Sequence, residues 1–244
     1  MITPYFQNGR ATIYLGDCRE IYPQIAKADV IIADPPYAET RQKWDRWPKG
    51  WLTPAARAGS LWCFGTFRMF RDHHEEFAAF HLAQDLIWEK QNGSGMHADR
   101  FRKVHEMLVQ FYPKGTPWGS VYKHAIRIPT GKPKRIIRHS KPVHWGQVSK
   151  GVYEVGTMRL MRSVIRARNG HRSGGHANAK PVPILRALIE YSCPPTGTVV
   201  EFFMGGGTGL IAALEAGRNA IGIDGDEKAC EIAAKAISQA HLPI

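Results

Sequence analysis

The chain has 244 residues, 43% of them hydrophobic, and 33 Lys and Arg against 21 Asp and Glu give it a net charge of +12. Such a length and apolar share suffice for one large folded domain, or one domain with an insertion, and exclude a disordered chain. No run approaches about 18 uncharged apolar residues, and the first ten residues lack an apolar stretch behind a charged start, so membrane spanning and secretion are not expected and a cytoplasmic protein is.

In chain order, β-like runs are predicted at 11–15, 30–33, 60–64, 85–88 and 107–112, with helix-compatible segments between several of them. Residues 113–172 change character: Gly, Pro and basic residues crowd K-G-T-P-W-G-S and I-P-T-G-K-P-K-R-I-I-R-H-S-K-P-V-H-W-G, so strands there must be short. An amphipathic helix then opens at Pro181 and Pro183 and carries Ile184, Leu185, Leu188 and Ile189, because proline is tolerated in a first helical turn. A strand at 198–201, a glycine-rich turn, a helix near 209–216, a strand at 220–224 and a last helix at 227–239 complete the chain. The expected organisation is a lobe 1–112, a basic inserted region 113–172 and a lobe 173–244 completing the same sheet. Two β-turn-α signals at opposite ends of the chain predict an α/β, doubly wound sheet with its ligand crevice at the carboxyl ends of the strands.

Charge is unevenly spread. Residues 90–175 hold 18 Lys and Arg against Asp99, Glu106 and Glu154, so the rest of the chain is slightly acidic. A basic block of this kind is the footprint of a polyanion partner. The cysteines Cys18, Cys63, Cys193 and Cys230 show no C-x-x-C spacing and are expected reduced and mostly buried. The pairs His73 with His74 and His139 with His144 lack cysteine partners or an H-E-x-x-H frame, so no metal is expected.

Three local patterns carry chemistry. The buried run Val30–Ala33 ends in Asp34, Pro35, Pro36 and Tyr37, where two prolines stop the ladder and stiffen the strand tip. Val199–Leu210, V-V-E-F-F-M-G-G-G-T-G-L, places glycines at a strand-to-helix turn, where a ligand can approach the backbone and an anion can meet free N–H groups. It is not the dinucleotide fingerprint, since Leu210 and Ala212 stand where that pattern needs glycine. The next strand ends in Asp224, about 20 residues on, where an acid can accept hydrogen bonds from ribose hydroxyls; Asp224 could instead cap the last helix, a role Asp226 fills at least as well.

Together these residues resemble the S-adenosylmethionine-dependent DNA amino-methyltransferases, in the motif order of their beta class. D-P-P-Y at 34–37 comes first, the basic insert second, and F-M-G-G-G-T at 203–208 last. G-D-C at 16–18 is similar to the family segment whose acid contacts the cofactor adenine, and H-A-N-A-K-P at 176–181 to the one lining its methionine end. The family usually has D-P before the phenylalanine of the glycine motif; here Glu201 and Phe202 stand there, so an acid is kept, and Gly206 replaces a common serine or cysteine.

The resemblance implies a Rossmann-like methyltransferase sheet with an inserted target-recognition region, and S-adenosylmethionine held by Asp17, His176, Lys180, Glu201, Phe203, Gly205, Gly207, Thr208 and Asp224. It implies that Asp34 and the Pro35 carbonyl accept the two protons of a target amine, with Pro36 stiffening the turn and Tyr37 stacking on a base flipped from duplex DNA. Adenine N6 is the favoured amine, because serine is commoner than Asp at position 34 among N4-cytosine enzymes; N4-cytosine is the alternative, and RNA or protein amines a more distant one. The absence of any Pro-Cys dipeptide disfavours C5-cytosine chemistry through a thiolate.

Lys132, Lys134, Arg135, Arg138 and Lys141 are expected to track phosphates, and Arg159, Arg162, Arg166 and Arg168 to reach bases or phosphates. Arg41 and Lys43, with Trp44, Arg46 and Trp47, mix cations and aromatics as a mobile loop closing over the nucleotide would. The resemblance further implies a prokaryotic or phage-infected cell and leaves open a homodimer, and a cognate restriction endonuclease or an orphan enzyme.

Overall fold

The computed structural model describes residues 2–94, 98–129, 131–139, 151–168 and 179–240. The expected site residues His176 and Lys141 lie outside the described residues. The chain forms two compact units, 1–124 with 163–244, and 125–162.

The strands are β1 (Phe6–Asn8), β2 (Ala11–Leu15), β3 (Val30–Ala33), β4 (Ser60–Gly65), β5 (Phe80–Ser94), β6 (Lys103–Pro113), β7 (Arg127–Pro129), β8 (Lys134–Arg138), β9 (Gly151–Val155), β10 (Met158–Leu160), β11 (Val164–Ala167), β12 (Thr198–Phe202) and β13 (Asn219–Asp224). Helices are α1 (Cys18–Ile21), α2 (Leu52–Ala55), α3 (Phe67–Asp72), α4 (Val182–Ser192), α5 (Thr208–Glu215) and α6 (Glu227–Gln239).

Among the described residues nine strands of the larger unit make one sheet in the order β1-β2-β13-β12-β3-β4-β6-β5-β11. Strands β2, β13, β12, β3 and β4 run parallel; β6 is antiparallel to both β4 and β5, and β11 is parallel to β5. This is the doubly wound sheet expected, with its two ends of chain interleaved at the centre. Strand β5 is far longer than the four residues expected, 85–88, because it lies one place from the edge and is half exposed, so polar residues break its apolar pattern. It also departs from regular register between Leu82 and Gln84, where a bulge adds local twist.

Both faces of the sheet are covered, which explains why the central strands read as unbroken apolar runs. Val30 and Ile32 of β3 point into one core with α4, α5 and α6, whereas Ile31 and Ala33 point into a second core with α1, α2 and α3. Helix α4 docks through Ile184, Leu185, Leu188 and Ile189, all at or below 1% exposure. At roughly 1.5–3 kcal/mol each, the four stabilise the docked helix by about 6–12 kcal/mol before conformational entropy is set against them. The indole of Trp62 donates to Ser192 Oγ at 2.6 Å and Ser192 donates onward to the Leu188 carbonyl, so the polar edge of a fully buried ring is satisfied. All four cysteines are buried and unpaired.

In the smaller unit β7 pairs with β10 and β8 with β9, both antiparallel and short. Lys132, Lys134 and Arg135 are exposed, and the Arg138 guanidinium lies 5.4 Å from the Tyr153 ring centroid. Among the described residues no helix is long and apolar enough to cross a membrane, and no cluster of His, Cys, Asp and Glu could hold a metal ion.

Candidate active site

The chain leaves β12 through α5 to β13 on one side, and leaves β3 through α2 to β4 on the other. Connections that part in opposite directions open a crevice at the carboxyl ends of the two strands. Phe202 is the register partner of Ala33, so the glycine turn beginning at Phe203 and the D-P-P-Y turn beginning at Asp34 start side by side. In sheet order the acids at these strand tips are Asp17, Asp224, Glu201 and Asp34.

The glycine turn is tightly wound. Phe203, Gly205 and Gly207 have φ of 58°, 53° and 75°; the left-handed conformation costs a side-chain-bearing residue about 1–2 kcal/mol, and at Phe203 the ring is fixed edge-on to buried Trp51 at 5.5 Å. Gly207 is needed for space as well, because a Cβ there would lie 2.7 Å from Ala233 Cβ of α6. Asp224 organises the turn: Oδ2 accepts from Gly205 N at 2.8 Å and Oδ1 from Asp226 N at 2.9 Å. Asp226, as expected, caps α6 by accepting from Lys228 N. Gly16 N donates to the Asp224 carbonyl at 2.8 Å, joining the tips of β2 and β13. Asp17 caps α1 and is gripped by the Arg19 guanidinium, whose hydrogen bonds hold its carboxyl below the usual range.

Thr208 opens α5, which has no local side-chain cap. The Glu201 carboxylate lies against that end instead, so close that a Cβ on Gly209 would fall 2.4 Å from its Oε1, and the Gly209 and Leu210 N–H groups favour its charged form. Only 9% of Glu201 is exposed and its Oε2 has no hydrogen-bond partner. Burial, reinforced by the negative charges of Asp34 and Asp224, pushes its carboxyl up to about 8.

Asp34 belongs to a cluster of charges under the second turn. Its Oδ1 accepts from Lys180 Nζ at 2.9 Å and from the Tyr37 hydroxyl at 2.7 Å. Tyr37 also lies 3.0 Å from Glu106 Oε1; Lys180 is 3.4 Å from Glu106, and Lys90 3.1 Å from Glu106 Oε2. Burial pushes Asp34 up, as does Glu106, against the pull of Lys180. Burial opposes ionisation of Glu106 too, but Lys180 and Lys90 outweigh it and hold that carboxyl low. Lys180 sits 5.0 Å from the Phe64 ring centroid and 5.9 Å from that of Trp88, an aromatic surround that favours the ammonium.

The structure thus brings Asp34, Tyr37 and Lys180 into one network, and gathers Asp17, Glu201, Phe203, Gly205, Gly207, Thr208 and Asp224 along the neighbouring strand tips. Lys180 lies on Asp34 and Glu106. Glu106 and Lys90 are not singled out by the sequence; the one signal for Glu106 is an acid inside a strongly basic stretch.

Arg41 and Lys43 are exposed on the loop after Tyr37. That loop is held: the Asp45 carboxylate accepts from the N–H groups of Ala38, Glu39 and Thr40 at 2.7, 3.0 and 2.6 Å, and Trp47 stacks on His73 at 4.0 Å and donates to Glu76. Trp44 remains 58% exposed. Arg166 and Arg168 are exposed at the far sheet edge, Arg166 3.6 Å from Glu89.

Asp17, Asp224 and Glu201 at adjacent strand tips beside a glycine turn, with one buried carboxylate oxygen of Glu201 unpartnered, fit a cationic cofactor bearing ribose hydroxyls. Comparison with known proteins agrees. Residues 28–235 match the family model for N6/N4 DNA methylases, described as DNA methylase. The chain is 27% identical to the Type II methyltransferase M.HinfI of Haemophilus influenzae, over 93% of this chain and 68% of the relative. It is 25% identical to the Type II methyltransferase M1.MboII of Moraxella bovis, over 94% and 95%. In fold it is similar to M1.HpyAVI, with a TM-score of 0.60, 20% identity and coverage of 94% of this chain and 100% of that one. It is also similar to the PvuII cytosine-N4-specific DNA methyltransferase, with a TM-score of 0.65, 14% identity and coverage of 98% and 90%.

Proposed function

This chain belongs to the S-adenosylmethionine-dependent N6/N4 DNA methylase family, and within it we propose that the chain methylates the N6 amine of an adenine turned out of duplex DNA. The observation that carries the reading is the carboxylate of Asp34 at the switch point, directly after the Ala33–Phe202 register pair and beside the start of the glycine turn. Bound in that turn, S-adenosylmethionine supplies a methyl group activated by its sulfonium.

The chain's own residues do the rest. An exocyclic amine is a weak nucleophile because its lone pair is delocalised into the ring. Asp34 and the Pro35 carbonyl accept its two N–H groups, which favours a more tetrahedral nitrogen, and Asp34 receives the proton that the amine gives up. Acceptors fixed in advance where charge develops are worth about 3–4 kcal/mol. Pro36 keeps the backbone from joining the ladder, and Tyr37, its hydroxyl already held by Asp34 and Glu106, offers its ring to the extruded base. Asp224 serves the cofactor ribose and Asp17 its adenine, while Glu201, Phe203, Gly205, Gly207 and Thr208 shape the cradle. Residues 125–162 act in target recognition, with Lys132, Lys134, Arg135 and Arg138 on phosphates.

Incubation with plasmid and S-adenosylmethionine labelled in its methyl group, followed by digestion to nucleosides, tests the reading. Label in N6-methyladenine is expected. Label in N4-methylcytosine would move the assignment to cytosine, and label in RNA alone would remove DNA as substrate.

A further inference from the structure

Glu106 has no task in the chemistry above, yet its side chain is 8% exposed against 30% for Asp34. A buried carboxylate costs several kcal/mol unless its surroundings compensate it. Here Lys90 and Lys180 do so, and the Tyr37 hydroxyl, 3.0 Å from Oε1, has a single proton for which Glu106 and Asp34 compete. Two of those three, Lys180 and Tyr37, are the groups that also hold Asp34, and both reach the same oxygen, Oδ1.

We propose that Glu106 is a positioning residue for the methyl-transfer reaction: it shares Lys180 and Tyr37 with Asp34, so that Asp34 is oriented by both yet keeps its strength as an acceptor for the target amine. The inference rests on the reading of Asp34 given under Proposed function. With Glu106 gone, Lys180 and Tyr37 turn wholly to Asp34, and the carboxylate that should meet the amine is spent on an internal ion pair. Lys90, 4.7 Å from the Trp88 ring centroid, completes the arrangement by keeping Glu106 an anion.

The groups acting on Asp34 come from every neighbouring element: Tyr37 in its own turn, Cys63 on β4, Glu106 on β6, Lys180 ahead of α4 and Glu201 on β12, with Lys90 on β5 acting through Glu106. Glu106 contributes a like charge that raises the Asp34 carboxyl. Removing that charge while keeping the shape therefore makes Asp34 more acidic and, for the same reason, a weaker acceptor, read as an acid limb at lower pH and a lower kcat.

The test is Glu106→Gln in the full-length protein, assayed for methyl transfer to plasmid across pH, with S-adenosylmethionine binding measured by calorimetry. We expect kcat to fall about tenfold to a hundredfold, less than for loss of a group touching the reacting atoms, with the cofactor Kd unchanged. The acid limb of the pH–rate profile moves to lower pH, whereas in Lys180→Met it moves to higher pH. Glu106→Asp keeps the charge with a shorter reach, and should return the acid limb to its wild-type place with part of the lost kcat. An unmoved acid limb in Glu106→Gln, or a fall in kcat matched by loss of cofactor binding, assigns Glu106 to the fold alone and overturns the proposal. Should Glu106→Gln not fold, Glu106→Asp decides: a lowered kcat with unchanged cofactor binding supports the proposal, and wild-type kcat overturns it. The nucleoside formed is read in the same assay, so a cytosine product would unseat the adenine reading without touching the ratio that reports on Glu106.

Discussion

Glu201→Gln exposes the electrostatic cost of the proposed cofactor cleft. In the folded protein this carboxyl is pushed from its ordinary 4.5 up to about 8, by burial first and then by Asp34 and Asp224. Between those values the folded state keeps a proton that the unfolded chain has released, so stability falls as pH rises through the window and levels off once the folded group also ionises. At 1.36 kcal/mol per unit, the whole window amounts to about 5 kcal/mol, of which about 2 kcal/mol is lost between pH 6 and pH 8. Glutamine carries no charge at any pH and, like the neutral acid, offers an acceptor oxygen beside the start of α5. Thermal unfolding of the cofactor-free protein at pH 6, 7 and 8 should show the Tm of the variant gaining on the wild type by about 4–8 °C across the series. Parallel curves would refute the reasoning, because they would mean that Glu201 is ionised throughout and that the α5 N-terminus compensates its charge.

Other consequences are as direct. Asp34→Asn should reduce kcat about a hundredfold to a thousandfold while leaving cofactor affinity within about threefold, as measured by labelled transfer and calorimetry; parallel loss of both would place Asp34 in the cofactor site instead. Gly207→Ala combines a left-handed φ of 75° with a 2.7 Å approach to Ala233, and should destabilise the protein by about 2–4 kcal/mol in denaturant unfolding. Asp45→Ala frees three N–H groups of the loop after Tyr37; proteolytic nicking within residues 38–45 should accelerate, and an unchanged rate would show that Trp47 on His73 suffices to hold it. Because S-adenosylmethionine is a sulfonium cation and its demethylated product is neutral, affinity for the cofactor alone should strengthen from pH 7 to 9, and Glu201→Gln should abolish the difference.

Much of the site is legible in the linear order of the residues. Val30–Ala33 announces a buried strand by four consecutive apolar residues, and D-P-P-Y marks where it must stop, because proline cannot continue a ladder. The glycine turn and Asp224 can be read for the same reason, since a strand, a turn and a helix N-terminus are all set by neighbours in sequence. Strand β5 shows in the sequence only by its middle, and β1 and β11 not at all, since edge and near-edge strands lack the apolar run that betrays a central one.

Local covalent order therefore determined the strand tips, the turn chemistry and the basic character of the insert, and the joint order of the motifs was enough to indicate the family. Only the tertiary structure decided what surrounds Asp34. Lys90 and Glu106 become neighbours through the pairing of Trp88 with Glu106 across β5 and β6, and β6 in turn lies antiparallel against β4. Lys180 arrives from the far end of the chain on the segment leading into α4. Charge–charge contacts between residues so distant depend on which strands become adjacent and in what register, and a shift of one residue in β5 or β6 would turn Lys90 or Glu106 to the other face of the sheet.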